Sequence, residues 1–364
     1  MHTVIVGGGI VGTAIAARLG PTDREVTLLE RAEIGEETTA ASAGLLMRTV
    51  VDPGPFDLRI RERAHARYRE LREDGDLEAD RIGIVYVAET AAFADRLADS
   101  ARALREAGID ASFLEPDELV GVGIEPGGLE GGLYTPEDRV CDPAAVATLF
   151  ADRARVAGVD VRTGVSVTDV ETRDGAVTAI ETNEGRLAAD RVINATGPWA
   201  PQLNDAVGIE LPLCHTRGPM LAVETGERLE GPTAIFESKR YVRPTETGAW
   251  LGAYRTDYVE GQRYDLANRS ISASFRDFAG ELETFVPGLE GATVVDDWVG
   301  YRTVTPDGRP LVGETEIDGY LVAVGLSGQG ITLAPAVADV VHGLLKGDVD
   351  PEYRRRLSPT RFRD

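Results

Sequence analysis

Three apolar residues with strong strand preference, Val4, Ile5 and Val6, run directly into Gly7-Gly8-Gly9-Ile10-Val11-Gly12. The run fits G-x-G-x-x-G, with Gly7, Gly9 and Gly12 in the glycine places, and it narrows the fold more than any other feature of the chain. Glycine at those spacings belongs to a strand that ends in a tight turn and leaves as a helix. Gly7 permits the turn, Gly9 lets the backbone approach a pyrophosphate, and Gly12 lets the helix lie against the strand. The flanks agree: residues 13–19 are rich in alanine and read as helix, and 25–29 read as a second strand. Glu30 ends that strand about 20 residues beyond the turn, where an acid accepts hydrogen bonds from the two ribose hydroxyls of an adenosine. The helix start offers unpaired N–H groups and a partial positive charge to phosphates. A glycine turn in an ordinary α/β domain is the plainer reading, and it leaves the strand, helix and acid as coincidence. The motif alone leaves FAD and NAD both open.

The chain has 364 residues, enough for two domains or one large domain with an insertion, and 43% of them are hydrophobic, as in globular proteins. Against 61 acids stand 38 bases, a net charge of -23. That balance argues against nucleic acid as a partner, because phosphate binding needs clustered cations, and against docking on anionic lipid. Lys239 and Lys346 are the two lysines; arginine supplies the other cations. An acidic, lysine-poor surface suits a halophilic protein, since concentrated salt screens self-repulsion. Biased genomic composition is the alternative, and both can hold. Cys141 and Cys214 fit no metal spacing and point to a reduced, cytoplasmic compartment. His2, His65, His215 and His342 form no ligand pattern. The first strand begins too early for a signal peptide, and no stretch approaches the ~20 apolar residues of a transmembrane span.

Beyond Glu30, residues 38–44 are small and polar and read as a second loop meeting a cofactor. Residues 56–73 form a charged amphipathic helix, 82–88 a strand, 91–107 a helix and 121–132 a glycine-rich loop. Asp142 and Pro143 open a helix to about 157 as N-cap and first helical residue. A meander from 159 to 187 follows, then a buried strand at 191–195. A strand-rich region spans about 213–300, strands fall at 311–313 and 320–324, and a helix at 334–346 closes the chain.

These stations resemble the FAD-dependent amine and amino-acid oxidoreductases of the D-amino-acid oxidase type. That group holds glycine and sarcosine oxidases, D-amino-acid dehydrogenases, and dimethylglycine or sarcosine dehydrogenases. The resemblance spans nearly the whole chain. It rests on the glycine motif with Glu30, on Ser42-Ala43-Gly44, and on Asn194-Ala195-Thr196-Gly197-Pro198-Trp199. It rests also on residues 300–308, with Arg302 and Thr305-Pro306-Asp307-Gly308, and on 325–331. It implies an α/β fold: a Rossmann-like FAD-binding domain with an inserted α+β substrate domain built on an antiparallel sheet. Residues 1–80, 135–212 and 301–364 would form the first, and 81–134 and 213–300 the second. FAD would meet Gly7, Gly9, Ile10, Val11, Gly12, Glu30, Arg31, Thr39, Ser42, Ala43 and Gly44. Val165 and Val167 match the segment beside the adenine. Ala195, Thr196, Gly197 and Trp199 would continue the site, and Gly328, Gln329, Gly330, Ile331 and Thr332 would bring a helix start to the flavin pyrimidine edge.

The resemblance makes Arg302 the substrate-carboxylate arginine, a role suited to a planar fork that donates two charge-assisted bonds. Tyr241, in a strand that matches the family's pocket wall, would donate to the same carboxylate; a tyrosine packed on a sheet is the alternative. Tyr254 and Arg255 are further candidates. Gly300 stands where some sarcosine oxidases attach flavin through cysteine, which implies noncovalent FAD. Trp250 stands where they place an oxygen-activating lysine, which favours a dehydrogenase. The expected reaction is hydride transfer to flavin N5 from a small amino acid or N-methyl amino acid, a carboxylate-bearing amine. Dioxygen or an electron carrier would be the acceptor, and the imine formed would hydrolyse. A 2-hydroxy-acid dehydrogenase, with His215 as the one obvious base, and a non-catalytic flavin subunit of a larger complex are the rivals.

Overall fold

The computed structural model describes residues 1–22 and 24–363. His2–Val6 and Glu25–Leu29 pair in parallel, with Val4 opposite Thr27. The helix Ile10–Leu19 between them starts directly after Gly9, earlier than its alanine pattern indicates. The full sheet runs Leu311–Glu314, Tyr320–Val324, Arg191–Asn194, His2–Val6, Glu25–Leu29, Asp160–Arg162. It is parallel except at its first strand.

Asp160–Arg162 departs from the expected meander. It forms the outer parallel strand of this sheet, and the helix Pro143–Val156 is the crossover that a parallel partner requires. That helix is capped as anticipated: the Asp142 carboxylate accepts from the Ala144 and Ala145 amides at 2.9 and 3.0 Å. The meander proper is Val167–Arg173, Ala176–Thr182 and Gly185–Ala188.

Side-chain alternation along the central strands makes three layers. Ile5, Leu28 and Ile193 face helices Ile10–Leu19, Pro55–Glu73, Pro143–Val156 and Gly330–Lys346. Val4, Val6, Val192 and Val322 face Val170, Val177 and Ile180 of the meander.

A second sheet of eight strands runs Thr293–Val304, Cys214–Glu224, Gly248–Ala253, Arg240–Pro244, Thr233–Phe236, Ile84–Ala88, Gly131–Thr135, Ser112–Leu114. It is antiparallel except where Thr233–Phe236 lies parallel to Ile84–Ala88. Gly131 and Gly132, expected in a loop, open a strand, and a short strand precedes them. Among the described residues no helix is long and apolar enough to cross a membrane.

The helix Gly330–Lys346 begins four residues before the expected start and contains Pro335. Proline there has no N–H for the carbonyl one turn back, that of Ile331. The buried Tyr68 hydroxyl donates to that carbonyl instead. The helix is also anchored by Asp339, which is 4% exposed and accepts from Arg18 at 2.6 Å, Arg63 at 3.1 Å and Arg67 at 3.3 Å. Burial pushes its carboxyl pKa up, but the hydrogen bonds from Arg18 and Arg67 and the charges of Arg67 and Arg63 outweigh that and hold it below the ordinary range. A helix Pro351–Leu357, not anticipated from the sequence, ends the fold.

Asp339→Asn should therefore cost about 2–4 kcal/mol at neutral pH, the three arginines being partly exposed. Because the folded-state pKa is depressed, this contribution is present above the ordinary aspartate pKa and fades as pH falls through the folded value. Denaturant unfolding of both proteins at pH 7 and pH 3 should show the gap at pH 7 and its shrinkage at pH 3.

Candidate active site

The glycine turn is packed to contact. Gly7 has φ +109°, and a Cβ there would lie 2.6 Å from the Ala195 carbonyl oxygen; a Cβ on Gly12 would lie 1.8 Å from the Gly7 oxygen. Helix Ile10–Leu19 is thus pressed onto the strand ends. The Ile10 amide donates to Thr39 Oγ1 at 3.0 Å, while the Val11 and Gly12 amides have no partner among the described residues. Glu30 is held from below: Oε2 accepts from the Gly8 amide at 2.6 Å and Oε1 from the Ala32 amide at 2.9 Å. Each oxygen keeps a lone pair for a further donor. On the neighbouring strand end, Asn194 Oδ1 accepts from the amide and hydroxyl of Thr196, which sets the turn through Gly197 to Trp199. The Arg31 guanidinium lies 4.1 Å from the Trp199 ring centroid.

A cavity of about 620 Å³ runs from Glu30, Arg31 and Val167 past Gly7, Gly9, Ile10 and Val11 to the start of helix Gly330–Lys346. Thr39, Ser42, Ala43, Ala195, Thr196, Gly197 and Trp199 line its middle, and Gly328, Gln329, Gly330, Ile331 and Thr332 its far wall. The Gly330, Ile331 and Thr332 amides have no hydrogen-bond acceptor among the described residues. The Thr332 hydroxyl is engaged elsewhere, donating to the Leu45 carbonyl at 2.9 Å. Gly12 and Gly44 do not line the cavity. Both are close-packing positions; a Cβ on Gly44 would lie 2.1 Å from the Cys141 oxygen.

Arg302 and Tyr241 meet at the far end. The Arg302 guanidinium passes between two bare backbones: a Cβ on Gly218 would lie 2.6 Å from Nη2, and one on Gly328 3.0 Å from Nε. Its Nη1 is buried without a hydrogen-bond partner, and no carboxylate pairs with it among the described residues. Burial lowers its pKa, partly countered by Tyr241 and Tyr254. Tyr241 is buried, its hydroxyl donates to the Met220 sulfur, and its ring lies 6.3 Å from that of Tyr254. A buried cation without an anion is costly. This one has no anion from the described chain beside it.

Other expectations fall away from the cavity. Arg255 is exposed and lines none of it. Trp250 packs edge-on against Trp298, with centroids 5.3 Å apart, and also lies outside the lining. His215 Nε2 lies 2.9 Å from the Pro198 carbonyl, and Nδ1 accepts from the Tyr264 amide at 3.1 Å. Both ring nitrogens are thus taken by backbone, and burial lowers the pKa. Sequence reasoning missed Tyr86, Lys239 and Arg61, all on the cavity wall. Arg61 is buried and donates to the Met47 carbonyl and the Gln329 side-chain oxygen. Its position on an otherwise charged helix gave no signal of its inward face.

These residues suit FAD. Gly9 faces the cavity, and a Cβ there would meet only Thr39 Oγ1, at 3.1 Å. Two helix starts offer free amides at separate points, one for phosphates and one for an electron-rich ring edge. Fold and site together define a dinucleotide-binding oxidoreductase scaffold. The chain belongs to the DAO family of FAD-dependent oxidoreductases, whose pattern matches residues 2–343. It is 27% identical to glycine oxidase of Bacillus licheniformis over 95% of this chain and 93% of that one. The crystal structure of glycine oxidase from Geobacillus kaustophilus superposes with a TM-score of 0.86 at 27% identity, covering 100% of this chain and 99% of the other. L-proline dehydrogenase from P. horikoshii gives 0.90 at 23% identity, covering 99% and 97%, a likeness of fold.

Two glycine substitutions should separate packing from cofactor contact. Gly12→Ala should destabilise the fold by about 3 kcal/mol through overpacking. Gly9→Val should keep the fold and weaken FAD retention by roughly tenfold or more. Thermal unfolding and bound-flavin absorbance would distinguish them.

Proposed function

We propose that this flavoenzyme oxidises a small amino acid or N-methyl amino acid whose carboxylate sits on Arg302. The observation that carries the reading is the Arg302 guanidinium itself, unpaired by any carboxylate of the described chain and held between Gly218 and Gly328. Residues 1–80, 135–212 and 301–364 would hold the cofactor, noncovalently with Gly300 in place of a cysteine, and 81–134 and 213–300 would shape the substrate side. The Val11 and Gly330–Thr332 amides and Glu30 are the groups that would hold FAD, with Gly12 packed behind them. The chemistry that FAD supplies is hydride acceptance at flavin N5, which leaves the substrate an imine for hydrolysis.

The chain's own part is binding and electrostatics. Arg302 fixes the carboxylate and so orients the Cα or N-methyl carbon. Its positive charge, with no acid beside it, disfavours an ammonium and favours the neutral amine that can release a hydride. Tyr241 and Tyr254 stay protonated, since burial raises both pKa values; Tyr254 can donate to substrate, and Tyr241 can do so by turning its proton away from the Met220 sulfur. No histidine lines the cavity among the described residues, and His215 is committed to backbone. This favours amines over 2-hydroxy acids, whose hydroxyl proton needs a base. Trp250 stands where the resemblance places the oxygen-activating lysine and carries no ammonium there, Lys239 reaching the cavity from another strand end, and this favours a dehydrogenase working with an electron carrier. The acidic composition fits work in the cytoplasm of a salt-loaded cell.

The test is anaerobic reduction of bound flavin by glycine, sarcosine, dimethylglycine, D-alanine, L-proline and 2-hydroxyglutarate in turn. Amines should bleach the flavin and the hydroxy acid should not; bleaching by the hydroxy acid alone would overturn the reading. Arg302→Met should retain FAD yet raise the half-saturating amine concentration by about 100-fold or more, the equivalent of two charge-assisted hydrogen bonds.

A further inference from the structure

Lys239 is one of two lysines among 38 basic residues, and it is the one on the cavity wall. It ends the turn before strand Arg240–Pro244 with φ +68°, a left-handed conformation uncommon for a residue with a side chain. Its backbone is fixed on both sides. The Lys239 amide donates to the Phe236 carbonyl at 2.9 Å, and the Lys239 carbonyl accepts from the Tyr254 amide at 3.1 Å. The ammonium is thereby delivered to Tyr254, with Nζ 5.8 Å from the ring centroid.

The Arg302 guanidinium lies 5.9 Å from that same centroid, so the two cationic centres stand within about 12 Å of one another on one cavity wall. Lys239, like Arg302, has no carboxylate partner among the described residues. The acids adjacent in the fold are committed elsewhere. Glu237 accepts from the Glu89 amide and the Thr90 hydroxyl, and Glu89 accepts from Ser238 and Arg240.

We propose that the substrate is an amine carrying two carboxylates, an acidic amino acid or its N-alkyl equivalent, with one carboxylate on Arg302 and the other on Lys239 across Tyr254. This rests on the reading of Arg302 given above. A neutral amino acid answers Arg302 and leaves Lys239 bare. Charge-assisted contacts of about 2.8 Å at each end leave at most roughly 6 Å between the carboxylates. Carboxylates three or four bonds apart, as in aspartate and glutamate, span that gap. Lys239 is a specificity residue in this scheme and takes no part in the chemistry.

The experiment compares glutamate with glutamine and aspartate with asparagine, both enantiomers of each, as anaerobic reductants of the FAD-loaded protein. Each pair matches in shape and differs in the distal charge. The acid should half-saturate at a concentration about five- to tenfold below its amide. K239M should erase that ratio, and K239R should keep it. Equal half-saturation of acid and amide, or a ratio unmoved in K239M, would overturn the dicarboxylate proposal while Arg302-dependent reduction by neutral amines left the wider reading standing. If no amine of either kind reduced the flavin, both would fall together.

Discussion

The contact between Gly12 and the Gly7 carbonyl sets the rest of the molecule. With a Cβ position only 1.8 Å from that oxygen, no side chain can separate helix Ile10–Leu19 from the strand ends. That closeness brings the helix start, with the Val11 amide, to the cavity wall. It also fixes where helix Gly330–Lys346, packed on the same layer, must begin. Asp339 then ties this last helix to the first and second through Arg18, Arg63 and Arg67. Two helix starts from opposite ends of the chain are thereby held along one cavity. A flavin nucleotide needs that spacing, because its phosphates and its redox ring are far apart.

Arg302 is the second constraint, and it works by a deficit. Most cations of this chain meet a carboxylate at the surface, where such pairs contribute little. Arg302 is drawn between Gly218 and Gly328, where the missing Cβ atoms leave room for the guanidinium and the surrounding Tyr241, Tyr254 and Tyr86 offer hydroxyls but no charge. The fold accepts the desolvation of one arginine and, on the proposed function, would recover it on binding a substrate carboxylate. The same arrangement would then discriminate among substrates, since an amine without a carboxylate would leave the cost in place.

What was legible in the sequence was what local chemistry encodes. Gly7, Gly9 and Gly12 with Glu30 lie within one β-α-β unit, and Asp142 with Pro143 specifies a helix start by itself. The start of the last helix was less legible: the expected span opens at 334, whereas the helix begins at Gly330, and Pro335 within it leaves the Ile331 carbonyl without its usual donor. The structure restores the orphaned Ile331 carbonyl with Tyr68, a residue from a distant helix that no local pattern connects to it. Tyr86 and Lys239 were hidden for a related reason. Tyr86 reaches the cavity wall through the parallel pairing of Ile235 with Tyr86, between strands far apart in the chain. Lys239 reads as a turn residue until the hairpin places its carbonyl on the Tyr254 amide. Arg302 was singled out by its motif and lies on the cavity wall, but its lack of a partner is a property of the folded surroundings.

The net charge of -23 sets these local cations in a hostile field. At low ionic strength an anionic substrate is repelled by the molecule as a whole, and a dicarboxylate more than a monocarboxylate. At about 1 M salt the screening length falls to roughly 3 Å, which removes the long-range repulsion. A buried guanidinium against a carboxylate is screened far less, because solvent ions do not enter between contacting groups. Salt therefore acts unequally on the two terms: it weakens the field that keeps anions out and spares much of the contact that holds them. If the protein works in concentrated salt, a strongly acidic chain and a cationic cavity end are compatible. On that view the arginine-rich composition and the one lysine on the cavity wall belong to the same physical solution as the unpaired Arg302.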